Sequence, residues 1–89
     1  MTILVVLAGF LFKITNVEWL AVVFAIGLVL AGEAINSAIE RLSDVVQPER
    51  DDRIRDVKDI SAGAVLICAI TAAIIGIIVF LPKLIILFS

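Results

Sequence analysis

The sequence predicts an all-α integral membrane protein, with three membrane-spanning helices forming a single domain over residues 1–89. Two observations carry this prediction. Of the 89 residues, 63% are hydrophobic and only 18% are charged, whereas ordinary globular chains are about half apolar and a quarter charged. The mean hydropathy is +1.24. Because a soluble domain of this size buries only part of its surface, we expect a bilayer to be the solvent of this chain.

The composition also excludes several kinds of function. A net charge of −2 and a pI near 4.8 disfavour nucleic acid as a partner. The chain has no histidine, and its one cysteine, Cys68, lies in an apolar run. An intrachain disulfide, a zinc site of Cys and His ligands, and a His-activated thiol are therefore excluded. Any metal would be a hard cation on carboxylates, and proton transfer would fall to Asp, Glu or Lys.

The first predicted span is incomplete. Residues 2–12 are eleven uncharged residues before Lys13, whereas a span needs about twenty. No basic segment precedes them, as one would in a signal peptide. We expect residues 1–12 to be the last part of a membrane helix whose start is missing, followed by a short outer loop over residues 13–17.

The second and third predicted spans cover residues 19–43 and 60–81. Glu18 and Trp19 are predicted to form an interfacial start for the second span, with Trp19 as an anchor. The third is 22 residues without a charge, about 33 Å of helix. We expect Pro82 and Lys83 to end that helix at an interface.

The segment between these two spans, residues 44–59, is predicted to be a cytoplasmic loop. Five of the seven Lys and Arg residues lie between Arg41 and Lys58, and cytoplasmic loops carry an excess of such residues. The chain would then cross the cell membrane several times, with Lys13 and the C-terminal tail outside.

Polar side chains form a column on the second predicted span. At 100° per residue they share an arc of roughly 100° over about 16 Å of helix; they are Glu33, Asn36, Ser37, Glu40 and Asp44. An ionised group inside a bilayer costs about 2.5–3.5 kcal/mol even on a lenient scale. A solvated position explains Asp44 adequately, Glu40 less well and Glu33 poorly.

The column offers what phosphoryl transfer requires: a base, acidic ligands for Mg²⁺ and a cation for the phosphates. Glu33, Glu40 and Lys58 could supply them. The P-loop and the protein-kinase motifs are absent from the sequence. On chemistry alone, a membrane phosphotransferase and an ion-conducting oligomer with an acidic lining both remain open.

A longer pattern narrows this choice. It reads Glu33-Ala-Ile-Asn36-Ser37-Ala38-Ile39-Glu40-x-x-x-Asp44, with Lys58-Asp59 fourteen residues after Asp44 and then a span rich in small residues. It closely resembles the prokaryotic diacylglycerol kinase family, which includes the undecaprenol kinases. The resemblance implies a homotrimeric membrane enzyme of phospholipid and cell-envelope lipid metabolism. Such an enzyme transfers the γ-phosphate of MgATP to the hydroxyl of diacylglycerol or undecaprenol.

The resemblance also implies roles for individual residues. Glu33 would accept the proton and Asn36 would orient the site. Glu40 would bind Mg²⁺, and Lys58 and Asp59 would contact ATP. The nucleotide-contacting loop of the family falls on Glu49, Arg50 and Asp51. Family members often carry aromatic and histidine residues in that loop, and Arg50-Asp51 departs from this.

The larger departure from the family is at the N-terminus. The family has a basic amphipathic surface helix before the first span, with a further metal-binding glutamate. The sequence contains neither, and Glu18 cannot replace that glutamate because it lies at the opposite membrane face. A non-catalytic membrane packing or regulatory protein derived from the family is therefore the alternative, and a pore-forming oligomer is a remote third.

Overall fold

The computed structural model describes residues 2–88, and over that range the chain is helical with no strand. The helices are α1 (Thr2–Leu11), α2 (Asn16–Val46) and α3 (Asp52–Phe88). The all-α prediction is confirmed for these residues. The predicted domain also includes Met1 and Ser89, which lie outside them.

Two of these helices, α2 and α3, are long and apolar enough to cross a membrane. Only 11% of the most apolar 18-residue window of α2 is buried, and 6% of that of α3. Core helices of soluble proteins bury most of their apolar side chains, so the exposure of α2 and α3 is not typical of such helices. α1 is a shorter apolar helix of ten residues, so a third spanning helix stays a prediction.

α1 ends in a turn that uses the left-handed backbone region. Lys13 has φ of 52°. Its N–H donates to the Phe10 carbonyl at 3.3 Å, and the N–H of Ile14 donates to the Gly9 carbonyl at 3.2 Å. These two hydrogen bonds are those of a Schellman motif, which satisfies the last carbonyls of a helix. The turn reverses the chain so that α2 starts beside α1.

α2 begins at Asn16, three residues before the predicted span, because Thr15 and Glu18 form a capping box. The Glu18 N–H donates to Thr15 Oγ1 at 3.2 Å, and the Thr15 N–H donates to Glu18 Oε1 at 3.0 Å. These bonds satisfy backbone donors that the first turn of a helix leaves unpaired. From the sequence alone, Glu18 is predicted only to be an interfacial residue.

The predicted loop over residues 44–59 is wrong in extent. Residues 44–46 continue α2, and residues 52–59 are the first two turns of α3, so the non-helical linker is only residues 47–51. Asp52, in the first turn of α3, interacts favourably with the helix dipole. Charged residues in the sequence are typical of a loop, but they are equally compatible with helix ends.

Pro82 does not end the third helix, contrary to the sequence prediction, since α3 continues through it to Phe88. Proline removes one hydrogen bond, here to the carbonyl of Ile78. In apolar surroundings, stopping the helix would leave more backbone groups unpaired than that single loss.

The best-packed region lies where α1 and the turn that follows it pack against the α2–α3 pair, and we call it the α1 end. Ile14, Val22 and Val79 are buried there, and Phe12 stacks edge-on against Phe80 at a centroid distance of 6.0 Å. The opposite end, joined by residues 47–51, is called the linker end. The core therefore fixes the antiparallel α2–α3 pair at the end remote from the linker.

Candidate active site

Two grooves follow the contact between α2 and α3, one beyond the other along the helix axes. The linker groove, near the linker end, has a volume of about 410 Å³ and is lined by residues within 32–39 and 57–68. The α1 groove has a volume of about 630 Å³ and is lined by residues within 22–33 and 69–84, together with Thr2 and Val5 of α1. The predicted column begins at Glu33, where the two grooves meet, and continues toward the linker end.

Glu33 lines the α1 groove, on the α2 turn nearest the linker groove. It is the one ionisable side chain among the described residues that line this groove, and nearly all the others are apolar. The facing part of α3 contributes small residues, which are Ala69, Ala72, Ala73 and Gly76. A carboxylate at one end of an apolar groove suits a ligand that has a long apolar chain and a polar head.

Asn36 lies one turn further along α2 and lines the linker groove instead. Its Nδ2 donates to Glu40 Oε1 at 3.3 Å. Its Oδ1 is buried and has no hydrogen-bond partner within residues 2–88. Buried polar atoms are nearly always paired, so this amide oxygen is an acceptor suited to a donor brought by a ligand.

Lys58 connects α3 to the polar column. Its Nζ lies 2.6 Å from Asp44 Oδ1, across the two helices. The hydrogen bond to Asp44 is the main cause that raises the pKa of Lys58 above its ordinary value, and the charges of Asp44 and Glu40 add to it. Glu40, Asp44 and Lys58 thus form one electrostatic cluster at the linker end.

The linker carries the three residues predicted to contact nucleotide. Glu49 and Arg50 are exposed. Asp51 caps α3, because its Oδ1 accepts the backbone N–H of Arg53 at 2.8 Å. It also pairs with the Arg53 guanidinium at 3.1 Å, and these contacts with Arg53 lower the pKa of Asp51 and raise that of Arg53.

The donors present fit Mg²⁺ only in combination with phosphate. No group of three Asp, Glu, His or Cys side chains that could hold a metal ion forms within the described part of the chain. Mg²⁺ is typically bound by one or two carboxylates together with substrate phosphates. Glu40 can contribute one such carboxylate, while Asp44 already binds Lys58.

The structure brings together some of the predicted site residues. Glu40 contacts Asn36 and lies near Lys58. Glu33 belongs to the other groove, and Asp59 is exposed on α3.

Sequence reasoning missed two ion pairs between helices, Asp44–Lys58 and Glu18–Lys83, the second with a 3.0 Å N–O distance. A signal for the second existed. Glu18 precedes one apolar run and Lys83 follows the other, and an antiparallel pair places those positions side by side.

Comparison with known proteins accords with the resemblance found in the sequence. The sequence model of the family described as prokaryotic diacylglycerol kinase matches residues 1–80. The chain is 36% identical over 80 residues to a protein named undecaprenol kinase from Bacillus subtilis (strain 168). That match covers 90% of this chain and 65% of the relative, so the chain spans just under two thirds of the relative's length. No solved structure matches the chain significantly. The chain belongs to the prokaryotic diacylglycerol kinase family.

Proposed function

We propose that this protein is a membrane lipid kinase that transfers the γ-phosphate of MgATP to a lipid hydroxyl. The position of Glu33 is the observation that supports this most directly. Its carboxylate is the ionisable group of an otherwise nearly apolar groove, on the same helix as the polar cluster of Glu40 and Asp44. Glu40 lies seven positions after Glu33, about 10 Å along the helix. A lipid head could therefore meet a phosphate between them.

In the proposed reaction Glu33 accepts the proton of the lipid hydroxyl. The O–H bond breaks as the hydroxyl oxygen forms a bond to the γ-phosphorus. The bond from that phosphorus to the bridging oxygen breaks, and ADP leaves with the electron pair. Positioning and charge stabilisation account for most of the catalysis in such transfers, and a positioned base contributes a further factor of about 10² to 10⁴.

The polar cluster would hold the nucleotide. Lys58 would bind phosphate oxygens, and Asn36 would orient the carboxylate of Glu40, to which it donates a hydrogen bond. Glu40 would hold Mg²⁺, which neutralises charge on the phosphates when bound. Asp59 and the linker residues 49–51 lie at the same end of the helix pair and would contact the rest of ATP.

The proposed protein is a homotrimer with three spans per chain in the cell membrane, with its linker end in the cytoplasm. Glu33 is exposed in the single chain, and an ionised carboxylate facing lipid is costly. A neighbouring copy would shield it. The Lys and Arg residues around the linker support the orientation.

Undecaprenol is the proposed acceptor, with diacylglycerol as the competing one. The support is the name of the Bacillus subtilis relative, undecaprenol kinase. The test is incorporation of labelled phosphate from γ-labelled ATP by the full chain, expressed in membranes that lack endogenous lipid kinase. Both lipids are supplied, and we expect labelled undecaprenyl phosphate.

Two variants sharpen this test. Glu33→Gln is expected to lower the rate by about 10² or more, while the protein still assembles and binds ATP. Glu18→Gln makes the same change at the other end of α2 and is expected to keep its activity. A Glu33→Gln rate above a tenth of wild type would refute the role of Glu33. An assembled wild-type protein that labels neither lipid would favour the non-catalytic alternative.

A further inference from the structure

We propose that Asp44 is a positioning residue that holds the ammonium group of Lys58 in place for the phosphates of a nucleotide. This inference rests on the proposed function, in which Lys58 binds ATP. It adds a residue to which the sequence analysis gave no role, since Asp44 was explained there by solvation alone.

The geometry of the pair is the first support. Asp44 lies on the last turn of α2 and Lys58 on the second turn of α3, and Nζ and Oδ1 are 2.6 Å apart. A lysine side chain has a flexible four-carbon stem and loses much rotamer freedom when it is fixed. Asp44 already fixes the Lys58 side chain in the single chain, so that loss of rotamer freedom would not oppose nucleotide binding.

The number of donors is the second support. A lysine ammonium has three N–H donors and no acceptor. Asp44 is the hydrogen-bond partner of Lys58 within residues 2–88, through one oxygen, which leaves two donors for phosphate oxygens. The Asp44 and Lys58 side chains are 65% and 37% exposed, so the pair is accessible to a ligand. Soluble protein kinases present a lysine to phosphates through a comparable pair with a glutamate.

Protonation of Lys58 does not explain the pair. Lysine is already charged at neutral pH, so a pKa raised by Asp44 changes little there. Repulsion between Asp44 and phosphate opposes binding, but solvent and salt screen it at such an exposed site. Orientation of the ammonium group is therefore the effect that Asp44 supplies.

A purely structural ion pair between helices is the competing explanation, and the chain contains a control for it. Glu18 and Lys83 form a second pair between α2 and α3, with a 3.0 Å N–O distance, at the α1 end. Lys83→Met breaks that pair but leaves the capping box of Glu18 intact. If Asp44–Lys58 merely joins two helices, Asp44→Asn and Lys83→Met should affect the protein alike.

The experiment measures MgATP binding by titration calorimetry on the detergent-solubilised full chain, alongside lipid phosphorylation. We expect Asp44→Asn to raise the Kd for MgATP about fivefold and Lys58→Met to raise it by at least about tenfold. Lys83→Met should leave that Kd unchanged. In the Lys58→Met background, Asp44→Asn should not weaken binding further, because Asp44 acts through Lys58. The KM for the lipid should not change in Asp44→Asn.

The outcomes separate this inference from the proposed function. Unchanged or tighter MgATP binding by Asp44→Asn overturns the inference alone, as does additive weakening in the double variant. If Asp44→Asn weakens MgATP binding as expected but the wild-type protein phosphorylates no lipid, the proposed function is refuted and the inference stands. A wild-type protein that binds no nucleotide refutes both.

Discussion

The contact between Gly9 of α1 and Trp19 of α2 gives a prediction that is independent of catalysis. Gly9 is buried, and the Trp19 ring lies over it while also packing against Phe10 at a centroid distance of 5.0 Å. A Cβ added at Gly9 would lie 2.5 Å from Cη2, 2.8 Å from Cζ2 and 3.1 Å from Cζ3 of Trp19. Gly9→Ala should therefore displace the indole ring.

The magnitude follows from these distances. Carbon atoms pack at about 3.5–4.0 Å, so the ring must move away by about 1 Å. Overpacking of this kind costs about 1–3 kcal/mol, against a gain in helix propensity of up to about 1 kcal/mol. Gly27→Ala is the matched control, because nothing lies within 4 Å of a Cβ there. Relative to Gly27→Ala, Gly9→Ala should be less stable by about 1–3 kcal/mol.

The assay uses the fact that Trp19 is the one tryptophan of the chain. Its fluorescence emission and its quenching report directly on the displaced ring, and thermal unfolding in detergent gives the stability difference. Gly9→Ala should alter the emission and lower the Tm, whereas Gly27→Ala should do neither. Identical spectra and equal stability for the two variants would refute the close packing of α1 on α2.

Three further predictions follow from the site and the helix ends. Glu40→Ala should shift the Mg²⁺ requirement of phosphoryl transfer upward without changing the lipid KM; an unchanged Mg²⁺ titration with a raised lipid KM would contradict this. Lys13→Gly should raise stability by about 0.5–1 kcal/mol, measured by thermal unfolding, because glycine adopts the left-handed turn at no steric cost. Because the pKa of Asp51 is lowered, its capping stabilises α3 at pH values above the ordinary Asp pKa, and this stabilisation is lost as the pH falls through the lowered value. Acid fraying of residues 52–55 should therefore appear in NMR spectra and be absent from the acid titration of Asp51→Asn.

The parts of the site that lie on one helix could be predicted from the sequence. The order of Glu33, Asn36, Glu40 and Asp44 along α2 follows from helix geometry alone, and the 3.3 Å contact of Asn36 with Glu40 is an i, i+4 contact. Spacing could not show that Glu33 and Asn36 line different grooves. That separation depends on where α3 crosses α2, a tertiary feature with no local signal.

Contacts between helices depended on boundaries that the sequence analysis placed wrongly. With a loop over residues 44–59, Asp44 and Lys58 had no fixed relation. With the linker reduced to residues 47–51, the last turn of α2 and the second turn of α3 face each other. The continuation of α3 past Pro82 likewise required weighing one lost hydrogen bond against several exposed backbone groups.

The location of the core at the α1 end gives the helix pair the mechanics of a lever. Lys83, at the fixed end, and Lys58 are 25 residues apart on α3, about 37 Å of helix. A rotation of α3 by only about 5° around the fixed end therefore moves Lys58 by about 3 Å over that length. The five linker residues can extend over about 16 Å, so resistance to such a swing comes instead from the Asp44–Lys58 pair and from the buried Ser43 and Ser61 at that end. A small adjustment among Ile14, Val22 and Val79 would therefore be amplified to about the length of a hydrogen bond at the distant charged cluster, where the Asp44–Lys58 pair resists it.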